Sequence, residues 1–345
     1  MGGKAFVGLE RLSTAELRKV ERMFKDLFGY TEIMFPRNFV EKEDHGDVDC
    51  FIIDKGRNKM KLLTACAYSH SDNPDMTLWR SPIEDFMKDN DRIQGRENQY
   101  VQFINEQCML VKMNAQSGRM YSVDAQFFNE SEINFARCFY SYGMASQILQ
   151  RMVEKYNLSL KPDGLYYTFT TAGKKHETLI LNNWYQFLNI FELEHLPYYD
   201  VDNSFNNHSD FFRWLYHSPY CRKDVFDFKS QDKRQETKLF KDFNAWLNSI
   251  NWSPRQRNDL TVVSHSVLCA VMRECPTVFH KLVNEKAHTL NIESYSYVLD
   301  FLMKVGQLPR TPFEYSNERG ARQLSIVDSD LIKSGLQRNK FRIDF

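Results

Sequence analysis

Asp47 and Asp49 stand one residue apart, preceded by Gly46 and followed by the apolar run Cys50-Phe51-Ile52-Ile53. Residues two apart in a strand project from the same face, so this spacing predicts two carboxylates about 6 to 7 Å apart on one surface. Further along, Met120 to Phe128 alternates cleanly, with Ser122, Asp124 and Gln126 on one face and Tyr121, Val123, Ala125 and Phe127 on the other. Asp124 is thereby a candidate third carboxylate. A bare Asp-x-Asp is common in solvated loops, helix caps and salt-bridged strand ends. Three features set this one apart: Gly46 permits close approach at the strand entry, the apolar run anchors the pair on a sheet, and a later strand supplies another aspartate. Clustered carboxylates are hard oxygen ligands suited to Mg²⁺ or Mn²⁺, ions that take few protein groups and keep several waters. The chemistry that needs such a cluster is transfer at phosphorus. Two cations about 3.5 to 4 Å apart offset the charge of the attacking oxygen, the phosphate and the leaving group. Asp124 is also of the right type to accept the proton of an attacking hydroxyl.

Other chemistry-bearing residues give shorter signals. Arg37 and Lys42 lie in a charged loop just before the aspartates, where a cation either meets a polyphosphate or is simply solvated. Lys55, Arg57, Lys59 and Lys61 read as a basic hairpin beside the site, either a guide for a nucleic-acid backbone or an ordinary turn. Arg319, Arg322, Lys333, Arg338, Lys340 and Arg342 make the tail locally basic, diluted by Asp328, Asp330 and Asp344. His217 and Cys221 have the i, i+4 spacing of metal ligands, but Pro219 intervenes and no second pair completes a site. Ser264-His265-Ser266 lacks the Gly-x-Ser-x-Gly frame of a nucleophile. Phe211, Phe212, Trp214, Tyr216 and Trp246 fit helical faces and read as core.

The elements that must position these groups follow from periodicity. Ser13-Thr14 precedes apolar residues at helical spacing, Leu17, Val20, Phe24 and Leu27 among them, with Gly29 as the stop. Thr31 to Phe35 reads as a strand closed by Pro36, Asp47 to Ile53 as a second, Met60 to Tyr68 as a third and Met109 to Met113 as a fourth. From Ser131 to Tyr156 the spacing is helical, and a hairpin over Tyr166 to Leu181 turns near Ala172-Gly173. Candidate helices then cover 184–193, 210–217, 238–250, 259–290 with breaks, and 294–305. The expected fold class is α+β, a mixed sheet flanked by helices with a mainly helical C-terminal portion. Its expected division is a catalytic domain over 1–133, a helix-plus-hairpin extension over 134–200 and a helical domain over 201–345.

Bulk properties narrow the setting. The 345 residues suffice for a sizeable core, and 45 basic residues against 45 acidic ones confine any polyanion site to a local patch. Seven scattered cysteines without a CxxC argue against a disulfide framework and a zinc ribbon, and fit a reducing compartment. No run approaches the length of a membrane span, and the N-terminus shows no signal peptide. Gly2 lacks the Ser or Thr of a myristoylation motif, with Phe6 standing in that place. The expected location is the cytoplasm, or the host cytoplasm if the chain is viral, with protein partners unknown.

The pattern Gly-Asp-Val-Asp at Gly46 to Asp49, leading into an apolar strand and followed later by Val123-Asp124, resembles the active site of DNA polymerase beta-like nucleotidyltransferases. The wider run is similar to uncharacterised phage and fungal nucleotidyltransferase-like proteins, matching at Gly2-Gly3, Pro36-Arg37, Lys42, Ser141-Tyr142-Gly143 and Asp163-Gly164-Leu165. The likeness covers about the first half of the chain. Gly2-Gly3 lies more than forty residues before the aspartates instead of about ten, and Met144 stands where those relatives often carry an acid. The resemblance implies a nucleotidyltransferase-type sheet and Mg²⁺ or Mn²⁺ held by Asp47, Asp49 and Asp124. It also implies a nucleoside triphosphate donor, ATP among the choices, met by Gly2, Gly3, Arg37, Lys42 and Gly46. The acceptor stays open among an RNA 3′ end, to which the reading leans, a tRNA, a protein side chain and a small molecule. The rival reading is a catalytically silent module of the same fold, a binding or assembly part of a larger and perhaps viral complex.

Overall fold

The computed structural model describes residues 6–70, 100–115, 117–171, 174–226 and 237–252, together with 267 and 270. Gly2-Gly3, Ser264-His265-Ser266, the basic tail and nearly all of the helices expected beyond 258 lie outside these described residues. The chain divides into two compact units, one of residues up to Met144 plus Leu196–Asn207, the other of Ala145–His195 and residues from His208 on.

The first unit opens with β1 (Leu12–Ser13) and α1 (Thr14–Phe28). Ser13 caps α1 through a reciprocal box with Glu16, and the buried stripe Leu17, Val20, Phe24 and Phe28 fixes which face turns inward. Gly29, with φ of 95°, ends it. Then come β2 (Ile33–Met34), β3 (Asp44–His45), β4 (Asp47–Ile53), α2 (Gly56–His70), β5 (Val101–Asn105), β6 (Cys108–Asn114), β7 (Met120–Phe128) and α3 (Ile133–Tyr140). Five strands form a mixed sheet in the order β2-β4-β7-β6-β5, with β4 and β7 parallel and the other pairs antiparallel. The molecule is therefore α+β, its mixed sheet flanked by helices.

The strand expected over Met60 to Tyr68 is instead part of α2. Two neighbouring parallel strands need a long crossover between them, and a helix packed on the sheet serves as one. Leu62, Leu63, Cys66 and Ala67 are buried at spacings of one and four, a helical stripe that a continuous apolar run conceals. The basic hairpin disappears with that strand. Lys55 and Arg57 bind Glu32 at 2.8 and 2.5 Å, Lys59 pairs with Asp54 at 3.3 Å, and Lys61 lies over the Phe28 ring.

Alternation divides the sheet into two chemistries. Val48, Cys50 and Ile52 of β4, Val123, Ala125 and Phe127 of β7, and Met109 and Val111 of β6 join residues of α1 and α2 in the main core. The opposite face carries Asp47, Asp49, Ser122 and Asp124, and farther along its strands Phe51 and Ile53 pack against Ile133 of α3 with Phe128 and Tyr140. The helix expected over Ser131 to Tyr156 is broken at Tyr142 and Gly143, both left-handed with φ of 61° and 63°. Tyr142 is fully buried there against Phe39, Tyr198 and Phe205.

The second unit contains α4 (Ala145–Glu154), β8 (Leu158–Lys161), β9 (Gly164–Thr171), β10 (Lys174–Leu181), α5 (Trp184–Ile190), α6 (His208–His217) and α7 (Lys238–Ser249). The expected hairpin is β9–β10, extended by β8, which the sequence reading did not contain, into a three-stranded antiparallel sheet. Gly164 is required at the β8–β9 turn, because a Cβ there would sit 2.5 Å from the Leu181 carbonyl oxygen. The aromatic residues form core as expected: Phe211, Phe212 and Trp214 are buried, and Phe212 packs on Phe243 and Trp246.

Candidate metal centre

Parallel pairing sets the geometry. β4 and β7 run side by side with Asp47 opposite Ser122 and Asp49 opposite Asp124, so both strands direct these side chains to one face. One carboxylate oxygen from each of Asp47, Asp49 and Asp124 lies within 4.8 Å of the others. The side-chain environments differ. Asp124 is buried with 7% exposure, whereas Asp49 keeps an exposed surface. Even so, the protein packed around the Asp49 carboxylate, with the charge of Asp47 second, pushes its pKa up to about 6. Ser122, on the same face, is fully buried, and its hydroxyl has no hydrogen-bond partner among the described residues. Three hard oxygen donors converging at this range, beside an unsatisfied hydroxyl, fit a hydrated divalent cation.

Cations rim the centre. Lys42 donates to Asn38 Oδ1 at 3.1 Å; burial lowers its pKa while the charges of Asp49 and Asp47 raise it, so the ammonium lies within electrostatic reach of both. Arg11, which sequence reasoning missed, grips Asp44 with two hydrogen bonds of 2.7 Å and also feels Asp47. Gly46 makes room for it, since a Cβ at that position would meet Arg11 Nη1 at 3.2 Å. No local signal marks Arg11, because it reaches Asp44 only through the pairing of β1 with β3. His45 is buried, with Nε2 3.2 Å from Thr14 Oγ1. Burial, with Lys42 next, lowers its pKa to about 4, so it is neutral at pH 7. Burial, with the charge of Asp124 next, holds the Cys108 thiol up at about 11, unsuited to act as a nucleophile.

Arg37 has a different set of partners from those its position in the loop suggests. Its Nη1 donates to the carbonyls of Asp200 at 2.5 Å and Pro197 at 3.4 Å and to Ser204 Oγ at 3.1 Å. Its backbone N–H donates to Ser141 Oγ at 2.9 Å and its carbonyl accepts from the Tyr142 N–H at 2.6 Å. The Ser141-Tyr142-Gly143 segment is thus a corner that seats the loop carrying Arg37. Beside the β2 edge of the sheet lies a cleft of about 790 Å³ bounded by one face of α1, the loop from Phe35 to Lys42, α3 and residues 201–206. Arg37, Lys42 and His45 all line it.

An α+β unit whose central parallel strands bring three carboxylates together on one sheet face defines a class of domain suited to hold divalent cations. No family model and no curated protein matches the chain, so the expected resemblance to phage and fungal proteins finds no support there. Among solved structures it is similar to polymerase beta of Leishmania infantum in a ternary P/T complex, at 11% identity and a TM-score of 0.30, with 47% of this chain and 59% of that one covered. The chain therefore spans less than two thirds of that polymerase. Among the described residues, no helix is long and apolar enough to cross a membrane.

Proposed function

We propose that the first unit is a metal-dependent nucleotidyltransferase domain that moves a nucleoside monophosphate from a nucleoside triphosphate to a hydroxyl. The observation that carries this reading is the convergence of Asp47, Asp49 and Asp124 across two parallel strands. Asp47 and Asp49 would hold Mg²⁺ or Mn²⁺, and Asp124 would complete the set. Held there, such cations would neutralise the charge that gathers as the nucleotidyl group is transferred. The acceptor oxygen attacks the α-phosphorus, a new P–O bond forms, the bond to the bridging oxygen of the β-phosphate breaks, and pyrophosphate leaves. Asp124, sequestered from water, accepts the proton of the attacking hydroxyl. Lys42, within reach of Asp49 and Asp47, and Arg11, within reach of Asp47, would meet the triphosphate, Gly46 leaving space for the Arg11 guanidinium. Arg37 would act by fixing the loop that presents Lys42.

The test is incubation of the whole chain with each α-labelled triphosphate, Mg²⁺ or Mn²⁺ and total RNA, beside an Asp47→Ala/Asp49→Ala variant. Label should pass to an acceptor with the native chain alone. Absence of label with every triphosphate and both ions would overturn the reading in favour of a silent binding module.

A further inference from the structure

We propose that the cleft beside the β2 edge binds a single-stranded polynucleotide. This deepens the reading above, on which it rests for the role of the strand: its terminal hydroxyl would be the acceptor.

The charge of the cleft points to a polyanion. Five cations line it, Arg18 and Lys25 from α1, Arg37 and Lys42 from the loop and Arg137 from α3, against two carboxylates, Glu21 and Asp202. The side chains of Arg37, Arg137 and Lys42 donate to backbone carbonyls, a hydroxyl, a thiol and an amide, and Lys25 lies 5.7 Å from the Phe35 ring centre. None of these five is in a salt bridge with a carboxylate among the described residues. An overall neutral chain thus concentrates positive charge in one groove.

The spread of that charge separates a strand from a mononucleotide. From Thr14 to Lys25 the cleft follows α1 for about 16 Å at 1.5 Å per residue. A triphosphate concentrates its charge at one end, whereas a stacked strand repeats a phosphate about every 3.4 Å and can engage cations along the whole groove. Tyr30 also lines the cleft and is 69% exposed, offering a ring face to a base of any identity. The direction follows from Lys42 and His45, which line the cleft close to Asp47 and Asp49. A strand lying along α1 would point its end at the carboxylates.

The experiment is fluorescence anisotropy of the whole chain with labelled single strands of about 15 nucleotides, one RNA and one DNA, in EDTA without triphosphate. Binding should weaken with salt over about 50 to 200 mM, with a slope near −0.7 per phosphate contact. Arg18→Glu/Lys25→Glu should lower affinity at least about tenfold and flatten the slope by about 1.4. Lys19→Glu/Arg22→Glu makes the same charge change at exposed positions of α1 that do not line the cleft, and should leave binding nearly unchanged. Tyr30→Ala should cost about tenfold whatever the base composition. The RNA and DNA arms report which sugar is preferred. Failure of both strands to bind, equal losses in the two double variants, or complete displacement by micromolar ATP would overturn the proposal. Asp47→Ala/Asp49→Ala should still bind the strands, so a missing cleft and a missing metal centre give different results.

Discussion

At the scale of single residues, burial and then the charge of Asp47 work against ionisation of Asp49. The raised pKa of Asp49 means that its ionised form is disfavoured in the folded chain. The cost is fully present above pH 6 and fades as pH falls through about 6 towards the ordinary aspartate range. Because Asp49 has an exposed surface, water screens much of this, and we expect Asp49→Asn to stabilise the metal-free protein by only about 1 kcal/mol at neutral pH. Urea denaturation in EDTA measures that gain. Mg²⁺ or Mn²⁺ should raise the midpoint of the native chain, and the same variant should lose that rise. A variant no more stable than the native protein in EDTA would show that neither burial nor the Asp47 charge disfavours the ionised Asp49. The site's central residues were legible because the information is local: Gly46-Asp47-Val48-Asp49 alternates within β4, and Ser122-Val123-Asp124 within β7. Arg11, Arg18 and Arg137 were not, because what each residue faces is decided by elements distant in sequence.

At the scale of elements, Arg57 lies in the first turn of α2, a cation near the positive end of its own helix. Glu32, just ahead of β2, binds both Arg57 and Lys55 and so ties the start of the crossover helix to the sheet edge. The hydrogen bond from Lys55, with Arg57 adding to it, holds the Glu32 pKa down at about 2. A depressed carboxylate contributes stability above its unfolded value near 4.5, and this is lost as pH falls towards 2. Both cations are largely exposed, so the contribution is at most about 1 kcal/mol. The stability difference between the native chain and Glu32→Gln should shrink between pH 4.5 and 2 and also with added salt. A difference constant across that range would sink the tether. This helix is also where sequence reading failed, since Met60 to Tyr68 looks equally apolar to a strand and a helix. The parallel pairing of β4 with β7, which requires a crossover, is visible only once the sheet is assembled. The break at Tyr142 escaped for a related reason, because its left-handed backbone is held by Arg37 and by Pro197, whose carbonyl accepts from the tyrosine hydroxyl.

At the scale of the molecule, the first unit is assembled from two stretches of chain. Residues 196–207 complete it by offering carbonyls and a hydroxyl to Arg37, a carbonyl to Arg137, and Tyr198 and Phe205 to the buried Tyr142 ring. A fragment ending at Met144 leaves these groups without acceptors or packing. We expect it to lose about 3 kcal/mol or more relative to the same fragment carrying 196–207 on a Gly/Ser linker. Denaturant titration and protease sensitivity of the two fragments provide the comparison; equal stability would show that the returning segment is ornamental. The separation of these two stretches also sets a timetable on the ribosome. Asp124 emerges about 80 residues before Ser204, an interval of roughly 4 to 16 s at ordinary elongation rates. During it the nascent chain can pair β4 with β7 and gather its three negative charges, yet the loop that presents Lys42 has no Asp200 carbonyl or Ser204 hydroxyl to hold Arg37. The acidic half of the site is synthesised first, and its basic wall is fixed only when the later segment arrives.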